Sequence, residues 1–95
     1  MAVTAEDIEV ALRQRFAPSF LEVQDDSSKH AGHAGAREGR HFTVRVVCDA
    51  FAGQSRVQRH RLVYDALASL IVRGIHALVI EARAPEEPPV FRIRS

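Results

Sequence analysis

Five histidines stand against a single lysine, so twelve of the thirteen basic residues are arginine. These are the side chains whose types and spacing could do chemistry. His30 and His33 sit in the Gly/Ala-rich stretch His30-Ala31-Gly32-His33-Ala34-Gly35, with Lys29 and Asp26 nearby. Imidazole nitrogen is a good ligand for zinc, copper or iron, and a loop of small residues lets both rings turn inward. A tetrahedral site needs about four ligands, and no paired cysteines accompany these two, so solvated loop histidines are the competing reading. His76 falls at the mouth of an apolar strand, read as sharing a face with Leu78 and Ile80. It is either a ligand or a core-edge histidine whose ring is satisfied by a backbone carbonyl. His41, which opens the middle strand, carries the same two readings.

Arginines gather at Arg56, Arg59 and Arg61, with His60 between the last two. Arg56 and Arg59 share a helix face, as do His60 and Tyr64. A helix start attracts anions, so these arginines could grip phosphates. An ordinary charged outer face, paired with Asp65 or other acids, is the alternative. The one cysteine, Cys48, lies on the apolar side of its strand and reads as a small buried hydrophobe rather than a reactive thiol. No nucleophile–base–acid set and no phosphate-binding glycine loop is present, which points away from an enzyme.

The elements that must position these groups follow from periodicity. Ile8, Ala11, Leu12 and Phe16 share one face of a helix from Thr4 to Phe16, capped by Thr4 and stopped by Pro18. Phe20 to Gln24 reads as a strand. Residues 25–40 lose all apolar periodicity and form a long loop, of the kind that is often functional. Phe42, Val44, Val46 and Cys48 alternate along a half-buried strand. After a turn around Gly53, Ser55 and Gln58 make the capping box of a second helix. Its stripe is Val63, Leu67, Leu70 and Ile71, and Gly74 is its expected left-handed terminator. Ile75 to Arg83 is the last strand. The tail from Pro85 reads as extended or disordered, and Val90 to Arg94, which alternates weakly, either adds an edge strand or stays loose.

The order predicts an α+β domain, with a three-stranded sheet covered on one face by helices. The strands flanking the loop should form an antiparallel hairpin. The chain reads as one domain, residues 1–95, with its core between about 4 and 84. Apolar residues make up 46% and charged residues 26%, which excludes a disordered or fibrous chain. The acidic start MAVTAEDIEV does not read as an export signal, no apolar run is long enough for a membrane span, and one cysteine fits a reducing cytosol. A net charge of +1 is far from that of a strong nucleic-acid binder.

Several segments, in order, then resemble one family. They are Asp25-Asp26-Ser27, His41-Phe42 before a valine-rich strand, Phe51-x-Gly53-x-Ser55, Arg59-His60-Arg61-x-Val63-Tyr64 and Ile75-His76-Ala77-Leu78. Together they look like the BolA family over about residues 4–86. The sequence departs from the family at its end, where Pro85-Glu86-Glu87-Pro88 stands in place of a Pro-x-Glu-Trp type of ending and there is no tryptophan.

The resemblance implies a fold similar to the class II KH domain, in the order α-β-β-α-β with a helical turn before the second long helix. It implies two roles. One is an adaptor that partners a monothiol glutaredoxin and shares a bridging [2Fe–2S] cluster with it and glutathione. That role belongs to iron–sulfur maturation, iron sensing or stress response. The other is a DNA-binding, stress-responsive transcriptional regulator. In the first role the resemblance assigns a ligand to His76 and a second to the loop, which offers His30 and His33, with His41 as fallback. In the second, Arg56, Arg59, Arg61 and Lys29 are phosphate contacts. The KH nucleic-acid clamp is a G-x-x-G loop, and Gly53-Gln54-Ser55-Arg56 has arginine in place of the second glycine. The free protein is expected to be a cytoplasmic monomer, without enzymatic activity and without membrane association.

Overall fold

The computed structural model describes residues 3–27 and 40–86. The element order is α1 (Ala5–Phe16), β1 (Phe20–Asp25), β2 (Arg40–Val47), a 3-10 turn (Asp49–Phe51), α2 (Arg56–Ala66), α3 (Ala68–Arg73) and β3 (Ile75–Arg83). The sheet runs β1-β2-β3, with β1 antiparallel and β3 parallel to β2. The expected hairpin and the expected α+β architecture are therefore both present. The parallel pairing follows because α2 and α3 carry the chain back along the sheet, the crossover that parallel strands require.

α1 and α2 begin where the sequence supplies acceptors for their free N–H groups. Thr4 Oγ1 accepts from the Asp7 N–H at 3.1 Å, and Asp7 Oδ2 accepts from the Thr4 N–H at 2.9 Å. Ser55 and Gln58 repeat the arrangement at α2, at 3.1 and 2.7 Å. Just before α1, Val3 is fully buried; with Ile8 it occupies the two positions of a hydrophobic staple.

The second helix differs from its sequence reading. Leu67 leaves the helical region (φ −105°, ψ 10°) and divides the stretch into α2 and α3. Its N–H is shared between the carbonyls of Val63 and Tyr64, and its own carbonyl accepts from Leu70. The apolar stripe is unbroken across the division, since Val63, Leu67 and Leu70 are all buried. Periodicity alone therefore reads one helix. Gly74 closes α3 but is not left-handed, having φ 161°. Among the described residues, the left-handed ones are Ala17, which caps α1 at φ 49°, and Gly53, at φ 76° in the turn before α2.

The core lies between the helices and one face of the sheet. Phe42, Val44, Val46 and Cys48 alternate into it as expected. They meet Ile8 and Leu12 of α1, Phe51 of the turn, and Val63, Leu67 and Leu70 of the second helical pair. The other sheet face carries polar cross-strand contacts: Arg45 donates to Glu81 and to Glu22, each at 3.2 Å. The tail beyond Glu86, including the suggested edge strand at Val90 to Arg94, lies outside the described residues.

Candidate functional site: a histidine pair at one end of the sheet

The two histidines singled out on separate strands meet. The rings of His41, in β2, and His76, in β3, have centroids 5.2 Å apart and are tilted by 38°. The cause is an irregularity in strand pairing. Arg40 faces Ile75 and His41 faces Ala77, so β3 has one extra residue at this point, and that residue is His76. The alternation of β3 therefore slips. Ile75 is buried, His76 is exposed, and Ile80 returns to the core. This corrects the sequence reading, which placed His76 on the core face with Leu78 and Ile80. A strict period of two cannot show a bulge, because the bulge belongs to the pairing rather than to either strand.

The backbone around the pair is tied on both sides. The His41 N–H donates to Ser27 Oγ at 3.1 Å, and the His41 carbonyl accepts from the Asp26 N–H at 2.8 Å. The Arg40 N–H donates to the Gly74 carbonyl at 3.0 Å, which fixes the start of β3. Asp26 is held in turn: Gln24 Nε2 donates to one of its oxygens at 2.8 Å and Thr43 Oγ1 to the other at 2.6 Å. Arg40 Nη2 meets Asp25 Oδ2 at 2.9 Å, and Asp25 Oδ1 accepts from the Ser27 N–H. Partial burial pushes the Asp25 carboxyl up. The Ser27 hydrogen bonds and the Arg40 guanidinium together outweigh it and hold the group below its usual 3.8.

Ser27 and Arg40, the described residues that flank positions 28–39, both bond beside the histidine pair. His30, His33 and Lys29 belong to the segment and lie outside the described residues. Among the described residues, no group of three or more His, Cys, Asp or Glu side chains is placed to hold a metal ion. Cys48 is buried. Its thiol donates to the Phe16 carbonyl at 3.1 Å, in keeping with a small packed residue.

The arginines of α2 divide. Arg56 and Arg61 are exposed, beside the outward-facing Val57 and Tyr64. Arg59 is half-buried. Its Nε donates to the Gln54 carbonyl at 2.9 Å and its Nη1 to the Ala82 carbonyl at 3.1 Å. It thus ties the turn before α2 to the far end of β3. Sequence spacing grouped Arg59 with the other two, because helical spacing shows which positions share a face but not which carbonyl lies within reach.

The family-specific segments fall at two places. Asp25-Asp26-Ser27, His41-Phe42 and Ile75-His76-Ala77-Leu78 build the histidine end of the sheet. The other two build the turn and helix that Arg59 ties down. No helix of the described residues is long and apolar enough to cross a membrane.

Comparison with known proteins extends the pattern over most of the chain. It is 48% identical over 82 residues to SufE-like protein 1, chloroplastic/mitochondrial, of Arabidopsis thaliana, covering 80% of this chain and 22% of that protein. The solved BolA domain of SufE1 from Arabidopsis thaliana superposes with a TM-score of 0.79 at 44% identity, covering 93% of this chain and 99% of that one. A Sinorhizobium sp. protein described as "Uncharacterized protein in cobS 5'region" is 45% identical over 86 residues, 87% of this chain and 92% of its own. The DNA-binding transcriptional regulator BolA of Escherichia coli (strain K12) is 40% identical over 82 residues, 86% of this chain and 76% of its own. The family model for BolA-like proteins matches residues 12–87. With that span covering both strands of the histidine pair and the arginine-bearing helix, the chain belongs to the BolA-like family.

Proposed function

We propose that this chain is an adaptor that binds a monothiol glutaredoxin in the cytoplasm and shares a [2Fe–2S] cluster with it, His76 giving an imidazole ligand. The observation that carries the reading is the exposed His76 ring, set against His41 at the end of the sheet where Ser27 and Arg40 are held. The sequence between Ser27 and Arg40 contains two further imidazoles, His30 and His33. The donor chemistry fits a shared centre. The described residues offer two neighbouring imidazoles and no complete ligand set, so a partner's thiolate and glutathione would have to supply the remainder. Such a cluster, with histidine on one iron, has a higher reduction potential than one held by thiolates alone. The imidazoles must be neutral to ligate, so assembly releases protons and weakens in acid. The role is that of an adaptor in iron–sulfur maturation, iron sensing or stress response rather than of an enzyme.

The test is reconstitution with a monothiol glutaredoxin, iron, sulfide and glutathione, read by visible circular dichroism. A heterodimer spectrum distinct from that of the glutaredoxin homodimer is expected. His76→Ala should abolish it while leaving the far-ultraviolet spectrum of the free chain intact. An unaltered cluster spectrum in that variant refutes the assignment of His76.

A second reading is supported by the name of the Escherichia coli relative, a DNA-binding transcriptional regulator, and by the exposed Arg56 and Arg61 on α2. Here the chain binds duplex DNA through that helix, with Lys29 as a further phosphate contact. A net charge of +1 limits the affinity and makes it salt-sensitive. Arg56→Ala with Arg61→Ala should weaken binding evenly across sequences and reduce the salt slope by about 2. Binding that survives the double change rules out α2 as the DNA face.

A further inference from the structure

We propose that the outer face of α2 and α3 is a docking surface for an acidic amphipathic helix of a partner protein. The inner side of the two helices is fixed by Val63, Leu67 and Leu70, which are buried in the core. Helical spacing then puts Val57, Arg61, Tyr64, Ala68 and Val72 along the opposite side, and all five are exposed. Val57 keeps 60%, Tyr64 43% and Val72 87% of its surface open. Three of the six large apolar side chains exposed among the described residues thus lie on one ridge. Single exposed apolar residues are ordinary, whereas several aligned on one ridge mark an interaction surface.

Shape and charge select the occupant. From Val57 to Val72 the ridge follows about 22 Å of helix, and side chains at this spacing pack into the grooves of another helix. Arg56, Arg61 and Arg73 are exposed along it and form no ion pair among the described residues. Asp65 is the one acid between Arg56 and Arg73, and Arg59 is engaged by the Gln54 and Ala82 carbonyls. The surface therefore joins an apolar ridge to a positive rim. A helix with leucine-like side chains on one face and glutamate or aspartate on its flanks matches both. Duplex DNA matches only the arginines, since contacts to a phosphate backbone make no use of Val57 or Val72. The proposal goes beyond the cluster-sharing role and uses none of its imidazoles.

The experiment uses the full 15N-labelled chain and a helical peptide of about 16 residues, with leucines along one face and glutamates on its flanks. A second peptide carries lysine in place of each glutamate. The glutamate peptide is expected to shift the amides of residues 56–73 along one saturation curve, and the lysine peptide is not. Val72→Ser removes open apolar surface without touching the core and should weaken binding about tenfold. Tyr64→Ser should do the same, with the far-ultraviolet spectrum of the chain unchanged. Arg61→Glu with Arg73→Glu should switch the preference to the lysine peptide, a gain that a misfolded variant cannot give. No saturable shift at 56–73, equal binding of the two peptides, or an affinity unaltered by Val72→Ser and Tyr64→Ser overturns the proposal. Shifts of the same amides with protein concentration alone would assign the ridge to a second copy of the chain and overturn it too. Amides at 56–73 that respond to duplex DNA but not to the glutamate peptide would assign the helices to nucleic acid, again overturning it. No glutaredoxin enters the experiment, so its result and that of the cluster reconstitution are independent.

Discussion

Arg59 separates stability from function on α2, and its removal has a calculable effect. The guanidinium gives one hydrogen bond to the Gln54 carbonyl and another to that of Ala82. Among the described residues β3 is an edge strand, so the carbonyls on its outer side have no neighbouring strand there, and Arg59 takes the one at Ala82. Hydrogen bonds from a charged donor contribute about 1.5–3 kcal/mol each. Gln54 and Ala82 are both partly exposed residues, so in Arg59→Ala water can replace the guanidinium, which puts each loss at the low end and the total at about 2–3 kcal/mol. For a domain of this size that lowers the melting temperature by roughly 10 °C or more. Arg59→Lys should lose nearly as much, because an ammonium cannot span two carbonyls in the guanidinium's fork. The assay is urea unfolding followed by far-ultraviolet circular dichroism, with Arg61→Ala as the exposed control, expected within about 0.5 kcal/mol of the parent. If Arg59→Ala and Arg61→Ala unfold at the same urea concentration, the tie between turn and strand carries no stability and the reasoning fails. A loss of DNA binding on changing Arg59 would report on this tie, which is why Arg56 and Arg61 are the informative pair.

Phe51 is fully buried with its ring 5.3 Å from that of Phe16. Phe51→Ala should cost about 3–5 kcal/mol, seen as early thermal unfolding by calorimetry. Ala17 caps α1 in the left-handed region at φ 49°, where glycine carries no Cβ strain. Ala17→Gly should therefore raise stability by about 0.5 kcal/mol after the added freedom of the unfolded chain is counted; a drop in the melting temperature would contradict this. The depressed Asp25 carboxyl contributes stability that is fully present above its unfolded value of 3.8 and is lost as pH falls through the lower, folded one. Asp25→Asn should accordingly flatten the loss of stability below about pH 4. Parallel pH profiles for parent and variant would show that Asp25 does not contribute.

The sequence by itself determined the elements and the core. Alternation at Phe42, Val44, Val46 and Cys48, caps at Thr4 and Ser55, and the stripe at Ile8 and Leu12 are all local signals, and each element they predict is present. Such patterns are local because a side chain's direction is set by helical or strand geometry within a few residues. The family segments likewise include His76, in Ile75-His76-Ala77-Leu78, a pattern legible without the fold. Tertiary structure alone decided how His76 is presented. Only the pairing of β3 with β2 shows the extra residue that turns it outward and sets its ring against His41, from a strand 35 positions earlier. The same holds for Arg59, whose partner at Ala82 is 23 residues away, and for Arg45, which joins Glu22 and Glu81 across three strands. Leu67 makes the point within one element, since a continuous apolar stripe is compatible with a straight helix or with the broken pair that is observed. Periodicity records what each residue faces; register and chain packing decide what it meets.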